Sequence, residues 1–339
     1  MKQVTLLFLS LLLLTACHRS QEPLRLEGEV QGSYYSIIYY DTQQRDFSPQ
    51  IDSIFALLDS SVNLWVDNSI IRRVNSGKDS VVNHLFVDMY NKSSQIKQYT
   101  NGCFNCEIGA LVNLYGFGFK NRVDIVDAQI DSLLVPIRNS QISIDCEGES
   151  RWTIRNRPQQ VEFDFNAIAQ GYTVDLIARL FDQNGLESYL IFVGGEVIAK
   201  GVKPNGDHWT VGVERPAADK YDQPNIETAI YLDDMSVVTS GNYRKYYEKD
   251  GLRFSHTIDP ATGRPVSHSL LSATVVSRES WYADAMATAF MVMGLERSLQ
   301  FIADHPEDTD IQAAFFIYDE NGQYSTYATP QFMQLIKEQ

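Results

Sequence analysis

Basic residues are scarce in this chain: 28 Lys and Arg stand against 43 Asp and Glu, a formal net charge of -15 at pH 7. A body this acidic repels phosphate backbones, which argues against DNA or RNA as a partner. The same balance suits a divalent cation such as Mg²⁺. Cysteine is also sparse, with 4 in 339 residues, too few for a scaffold built on disulfides. Cys103 and Cys106 form a C-x-x-C, but no second such pair and no H-x₃₋₅-H completes a zinc site. They read first as small buried hydrophobes, with a disulfide left open by an oxidising compartment. Long apolar runs are missing: Val4 to Leu14, broken by Thr5 and Ser10, is far shorter than the roughly 20 residues of a spanning helix. Neither G-x-G-x-x-G nor G-x-x-x-x-G-K-[ST] occurs, which argues against an ordinary Rossmann or P-loop nucleotide site. Internal repeats, low-complexity tracts and long Pro/Ser/Gly linkers are absent as well.

What is present begins at the N-terminus. Lys2, the apolar run to Leu14, and Leu14-Thr15-Ala16-Cys17 have the layout of a secretory signal peptide. The closing L-T-A-C looks like a bacterial lipobox, in which Cys17 is lipidated and becomes the mature N-terminus. Residues 1–16 are therefore expected to be removed and 17–27 to form a tether. Residues 28–339 then form the body, exported and lipid-anchored to a bacterial membrane facing the periplasm.

Strand and helix periods alternate along the body. Val30 to Tyr40 is strand-like. Pro49 to Leu64 and Leu85 to Asn101 read as helices, the second ended by Gly102. Val161 to Phe165 alternates apolar and acidic residues, as a half-buried strand does. Asn166 is placed to cap a helix from Ala167 to Gln183. Short strands are expected at 190–193 and, after Gly194-Gly195, up to Ala199, then at 209–213, 226–232, 252–258, 272–277 and 313–318. Ser280 is placed to cap a helix from Trp281 to Met293, stopped by Gly294. Many strands and few helices predict a mixed α+β fold rather than a doubly wound sheet.

Three stretches carry chemistry. Asp284 and Thr288 are four residues apart, so they share a helix face. Both offer the hard oxygen that Mg²⁺ prefers. Their neighbours Ala283, Ala285, Met286, Ala287 and Ala289 are apolar, so the carboxylate needs a partner if buried. The second stretch, Phe163 to Tyr172, runs from a strand into a helix N-terminus, where free N–H groups suit phosphate oxygens. The third combines Thr239-Ser240-Gly241-Asn242-Tyr243 with His256-Thr257-Ile258-Asp259-Pro260-Ala261-Thr262-Gly263-Arg264-Pro265. Its Pro, Gly and Asp fix a turn. His256 stands just before that turn with a pKa suited to a general base for a hydroxyl.

Taken in order, these segments resemble one family. Gly32-Ser33-Tyr34-Tyr35 is similar to its M-G-[TS]-x-[YF] segment, and Ser61 to Asn75 to its L-S-x-[WY]-x₃-S-x-[IL]-x₂-[FIV]-N segment. Gly102 to Gly118 resembles G-A-[FL]-D-[IV]-T-[VI]-G-P-L-[VM]-x-x-W-G-F-G. Asp164 to Asp175 resembles D-x-[GS]-x-[IV]-[AG]-[KE]-G-Y-[AV]-x-D, and Gly194-Gly195-Glu196 its G-G turn. T-S-G-x-Y, H-x-I-D-P-x-T-G-x-P and A-D-A-x-A-T-A stand intact. The chain thus resembles the ApbE family of Mg-dependent FAD:protein FMN transferases, from about residue 28 to beyond 318.

The resemblance implies a single two-lobed α+β domain with a mixed sheet, of T-fold-like kind. It implies cleavage of the FAD pyrophosphate with Mg²⁺ and transfer of FMN to a Ser or Thr hydroxyl of a partner, releasing AMP. The acceptor it implies is a flavoprotein subunit of a membrane redox complex. By matching position, Mg²⁺ would be held by the Ala167 carbonyl, Asp284 and Thr288. FAD would be contacted by Gln31, Trp65, Cys103, Phe104, Asn105, Asp164, Gln170 and Ile258, and His256 would be the base. The sequence departs from the family pattern at Gln31 (usually Met), Asn105 (usually Asp), Cys106 (usually Thr) and Gln170 (usually Lys or Glu). Asn105 and Gln170 can hydrogen-bond but cannot pair a charge. Two other activities share these residues: Mg-dependent hydrolysis of FAD to FMN and AMP, and non-catalytic FAD binding by a periplasmic lipoprotein.

Overall fold

The computed structural model of the protein describes residues 22–117, 125–148, 151–216, 225–242, 246–249, 252–255, 257–306, 308, 310–311 and 313–337. Cys17, Tyr243 and His256 lie outside the described residues.

An eight-stranded sheet forms the centre. Its strands are β1 (Leu24–Val30), β2 (Ser33–Tyr39), β3 (Tyr189–Val193), β4 (Glu196–Lys200), β5 (Met235–Gly241), β6 (Leu270–Ser277), β7 (Ala313–Glu320) and β8 (Gln323–Ala328). They lie in that spatial order, and every pairing is antiparallel. The one parallel contact among the described residues is an isolated bridge, Ile108 to Glu162. The strand expected from Val30 to Tyr40 starts at Ser33, because Gln31 and Gly32, with φ angles of +54° and +72°, turn the chain back from β1 into β2. Two successive left-handed residues make the mirror-image turn that matches strand twist. Glycine adopts it freely, whereas Gln31 is held there at a cost of about 1–2 kcal/mol. The first strand begins at Leu24, so the ordered body starts before residue 28 and takes in four residues assigned to the tether.

Nine helices are described: α1 (Ser48–Val62), α2 (Ile70–Asn75), α3 (His84–Tyr99), α4 (Gly109–Leu114), α5 (Asp127–Arg138), α6 (Ala169–Gln183), α7 (Ser280–Met293), α8 (Leu295–Asp304) and α9 (Pro330–Leu335). One sheet face carries α6 and α7. There Ile191, Val193 and Ile198 pack with Ile177 and Phe181, while Ala273 and Val275 pack with Ala285, Met286 and Phe290. The opposite face is covered by a hairpin of Trp209–Arg215 and Asn225–Leu232, whose Trp209, Val213 and Ile230 pack with Val197, Val237 and Phe315. A second lobe gathers Leu111, Ile130, Leu134, Val161 and Ile258 around α4 and α5.

Two local expectations are corrected. Residues 161–165 alternate buried and half-buried as expected but form no strand. Their backbone partners come instead from a side chain and a loop: Asn75 Nδ2 donates to the Phe163 carbonyl at 2.8 Å, Phe163 N–H donates to Asn75 Oδ1 at 2.8 Å, and Asp164 N–H donates to the Cys106 carbonyl at 2.8 Å. The following helix starts at Ala169, without a side-chain cap from Asn166, which is exposed. Asp164 Oδ1 accepts the Asn166 N–H at 2.8 Å and folds residues 164–168 into a turn ahead of the helix.

Candidate active site

The site is built where α6 meets α7. Gly171 lets them touch: a Cβ there would lie 2.4 Å from the Ser280 carbonyl oxygen and 2.9 Å from Asp284 Cβ. At this distance each helix supplies a carboxylate to the other's N-terminus. Asp175 on α6 accepts the N–H groups of Ser280 and Trp281, both at 2.8 Å. Asp284 on α7 accepts the Gly171 N–H at 3.1 Å. Ser280 is therefore not the cap of its own helix, which has no local side-chain cap. Both carboxylates are buried. Burial pushes each up to about 7, outweighing the N–H groups that favour the charged form.

That geometry changes the start of α6. In a regular turn the Gly171 N–H would bond to the Ala167 carbonyl. It goes to Asp284 instead, and among the described residues no N–H is directed at the Ala167 oxygen. Asp284, one turn before Thr288 on α7, thus stands beside a helix start whose carbonyl is left for another ligand. Thr288 is half-buried, and its Oγ1 lies 3.3 Å from Ser240 Oγ on β5. A carboxylate, a hydroxyl and a carbonyl make a hard oxygen set that fits Mg²⁺. The buried, singly hydrogen-bonded carboxylate gives such a cation its reason to bind.

The residues expected to contact flavin fall into three groups, two of them tied to the start of α6. The first is the loop 103–106, strapped to Asp164 through the Cys106 carbonyl. Phe104 is buried, with its N–H donated to Thr100 Oγ1 at 3.1 Å. Asn105 Oδ1 accepts the Glu107 N–H at 2.9 Å, so the amide shapes its own loop. Cys103 and Cys106 are buried free thiols, without a disulfide. Burial raises Cys103 in spite of Arg297, whose guanidinium donates to Sγ at 3.2 Å, and pushes Cys106 up to about 12. Both stay protonated at neutral pH, which suits packing rather than nucleophilic or metal chemistry.

The second group flanks α6. Gln31 Nε2 donates to Thr173 Oγ1 at 3.3 Å, and Gln170 lies so close to the Gly194 turn that a Cβ on Gly194 would meet Nε2 at 2.1 Å. A surface cavity of about 580 Å³ opens beside Gln31, but Glu29 and Asp59 in its lining repel phosphate. The third group is less connected: Ile258 is buried against Leu111 in the second lobe, and Trp65 stands 58% exposed, its ring free for stacking.

Sequence reasoning passed over the residues that hold this arrangement in place. Asp175, Gly171 and Asn75 enter the sequence comparison only as members of matched segments. Their signal was a buried acid and a glycine inside helical spacing, and an Asn at a helix end, each interpretable only once its distant partner is known.

Comparison with known proteins matches the ApbE family over residues 31–315. An FAD:protein FMN transferase of Vibrio cholerae is 30% identical over 336 residues, covering 96% of this chain and 97% of that protein. One from Escherichia coli K12 is 28% identical over 320 residues, covering 92% and 88%. Among solved structures, the apo form of the flavinyl transferase ApbE of Pseudomonas stutzeri superposes with a TM-score of 0.79 at 30% identity, covering 93% of this chain and 97% of that one. With the family match spanning residues 31–315 and the fold superposing over nearly the whole length, the chain belongs to the ApbE family.

Proposed function

We propose that this protein is an FAD:protein FMN transferase whose pyrophosphate chemistry takes place at the α6–α7 junction. The observation that carries the reading is the diverted Gly171 N–H, which goes to Asp284 rather than to the Ala167 carbonyl, a carbonyl that receives no other N–H among the described residues. Asp284, Thr288 and the Ala167 carbonyl would hold Mg²⁺. Bound there, the ion would neutralise pyrophosphate charge and stabilise departing AMP.

The reaction is a displacement at phosphorus, in which positioning and electrostatics do most of the work. A Ser or Thr hydroxyl of the acceptor forms a new O–P bond to the FMN phosphate. The pyrophosphate P–O bond breaks, AMP leaves with the electron pair, and the hydroxyl proton passes to a base. His256 is assigned that base on motif position alone. Trp65 offers a stacking face, and the loop 103–106 with Asp164 forms one wall. Asn105 and Gln170 hydrogen-bond the nucleotide without pairing a charge. The acceptor is a flavoprotein subunit of a membrane redox complex. Anchoring at Cys17 on the periplasmic side is supported by the Lys2–Cys17 pattern. No helix among the described residues is long and apolar enough to cross a membrane.

The reading is tested by AMP release from FAD with and without Mg²⁺, in the wild type and in Asp284→Ala. The expected loss is about 10²-fold or more, the scale of removing one preorganised electrostatic contact, with the fold retained by circular dichroism. Release that persists in the variant would overturn the assignment.

A further inference from the structure

Thr288 differs from Thr173 inside α6 and from Thr100 at the C-terminal end of α3. Thr100 and Thr173 donate their hydroxyls to the carbonyl one turn back, Ile96 and Ala169, both at 2.7 Å. That is the usual resting place of a helical Thr hydroxyl. Thr288 makes no such bond to the Asp284 carbonyl. Its only polar partner among the described residues is Ser240 Oγ at 3.3 Å.

Ser240 meets Thr288 because α7 lies along β5 in register. Ser236 Oγ lies 2.7 Å from Ser280 Oγ, four residues before Ser240 on the strand and eight before Thr288 on the helix. Four strand steps of about 3.3 Å and eight helix steps of about 1.5 Å give nearly the same length. The two hydroxyl pairs therefore bracket Asp284, at one end of the contact and at the other.

We infer that Ser240 is a positioning residue for the cation site: it accepts the Thr288 O–H hydrogen bond and so turns a Thr288 lone pair toward the ion. This rests on the metal assignment proposed above. A neutral hydroxyl that gives a lone pair to a cation must send its hydrogen elsewhere. Back-bonding to the Asp284 carbonyl would turn the hydroxyl along the helix, whereas Ser240 draws it toward the sheet. The interaction needs only an acceptor oxygen at position 240, with no change of ionisation.

The test is Mn²⁺ binding to the full chain, followed by loss of the free-ion electron paramagnetic resonance signal, with MnCl₂ as sole added ligand. Wild type, Asp284→Ala, Ser240→Ala and Ser240→Thr are compared. Removal of an outer partner of a metal ligand costs about 10–100-fold in affinity. Ser240→Ala is expected to fall in that range and Ser240→Thr, which keeps the oxygen, to bind within about twofold of wild type. Wild-type affinity in Ser240→Ala, with binding abolished in Asp284→Ala, overturns the role of Ser240 and leaves the metal assignment standing. Equal binding by all four proteins overturns the metal assignment and the role of Ser240 with it. Equal weakening in Ser240→Ala and Ser240→Thr also contradicts the proposal, because the oxygen would then not be what matters.

Discussion

Asp284 is a carboxylate taken out of water and given one N–H. Buried this way, it and Asp175 hold protons that the unfolded chain releases at its ordinary carboxylate range, near 3.8, and in the folded protein they release them near 7. The folded state therefore binds more protons than the unfolded state across that window. The stabilisation is complete below the unfolded value and is lost as pH rises toward about 7. Metal-free protein should accordingly melt at a lower temperature at about pH 7.5 than at about pH 5, and Asp284→Asn should flatten that slope. Added Mg²⁺ should raise the melting temperature more at the higher pH, where the carboxylate is free of its proton. Scanning calorimetry at the two pH values checks the sign, and a slope in the opposite direction would mean that burial does not dominate. Trp65, mostly exposed, has little to do with stability. Trp65→Ala should leave the melting temperature unchanged while weakening FAD binding by about 1–3 kcal/mol, the range for loss of one aromatic stacking platform, as read by flavin fluorescence titration.

Among the elements, α6 and α7 depend on each other at a single glycine. Gly171→Ala forces a Cβ against the Ser280 backbone, where no side-chain rotation relieves it. The helices must separate, at a cost of about 1–3 kcal/mol for overpacking, and the Gly171 N–H leaves Asp284. Urea denaturation and Mn²⁺ binding should both register the change; an unaltered metal affinity would show that the contact does not set the site. Element by element, the sequence was legible where periodicity was strong. The α7 helix, its Gly294 stop and the Asp284–Thr288 face follow from apolar spacing and helix geometry alone. It was misleading where backbone groups are satisfied at long range. Residues 161–165 have the alternation of a strand, but Asn75, 88 residues away, takes the place of a neighbouring strand. Asn166 looks like a cap, yet Asp164 and Asp284 between them reset where the helix begins. The cap of α7 likewise comes from Asp175, 105 residues earlier. No window of local sequence contains these partners.

At the scale of the whole molecule, an antiparallel sheet backed by a hairpin leaves its other face to α6 and α7, and the 103–106 loop packs into that same helix-side core and reaches Asp164. Motif order conveyed the Asp284–Thr288 face and the segment from Asp164 into α6, which the fold brings together at the junction. Composition conveyed only the acidic balance. The acidity bears on partner choice: electrostatic attraction to an acceptor should weaken with salt if the acceptor's surface is basic around its target hydroxyl. The central claim is transfer of FMN onto protein, and intact-mass spectrometry of an acceptor flavoprotein domain after incubation with this protein, FAD and Mg²⁺ tests it most directly. The account predicts a gain of one FMN phosphoryl group on the acceptor, matched by AMP and absent with Asp284→Ala. An acceptor of unchanged mass, whether AMP accumulates or FAD stays intact, would contradict it.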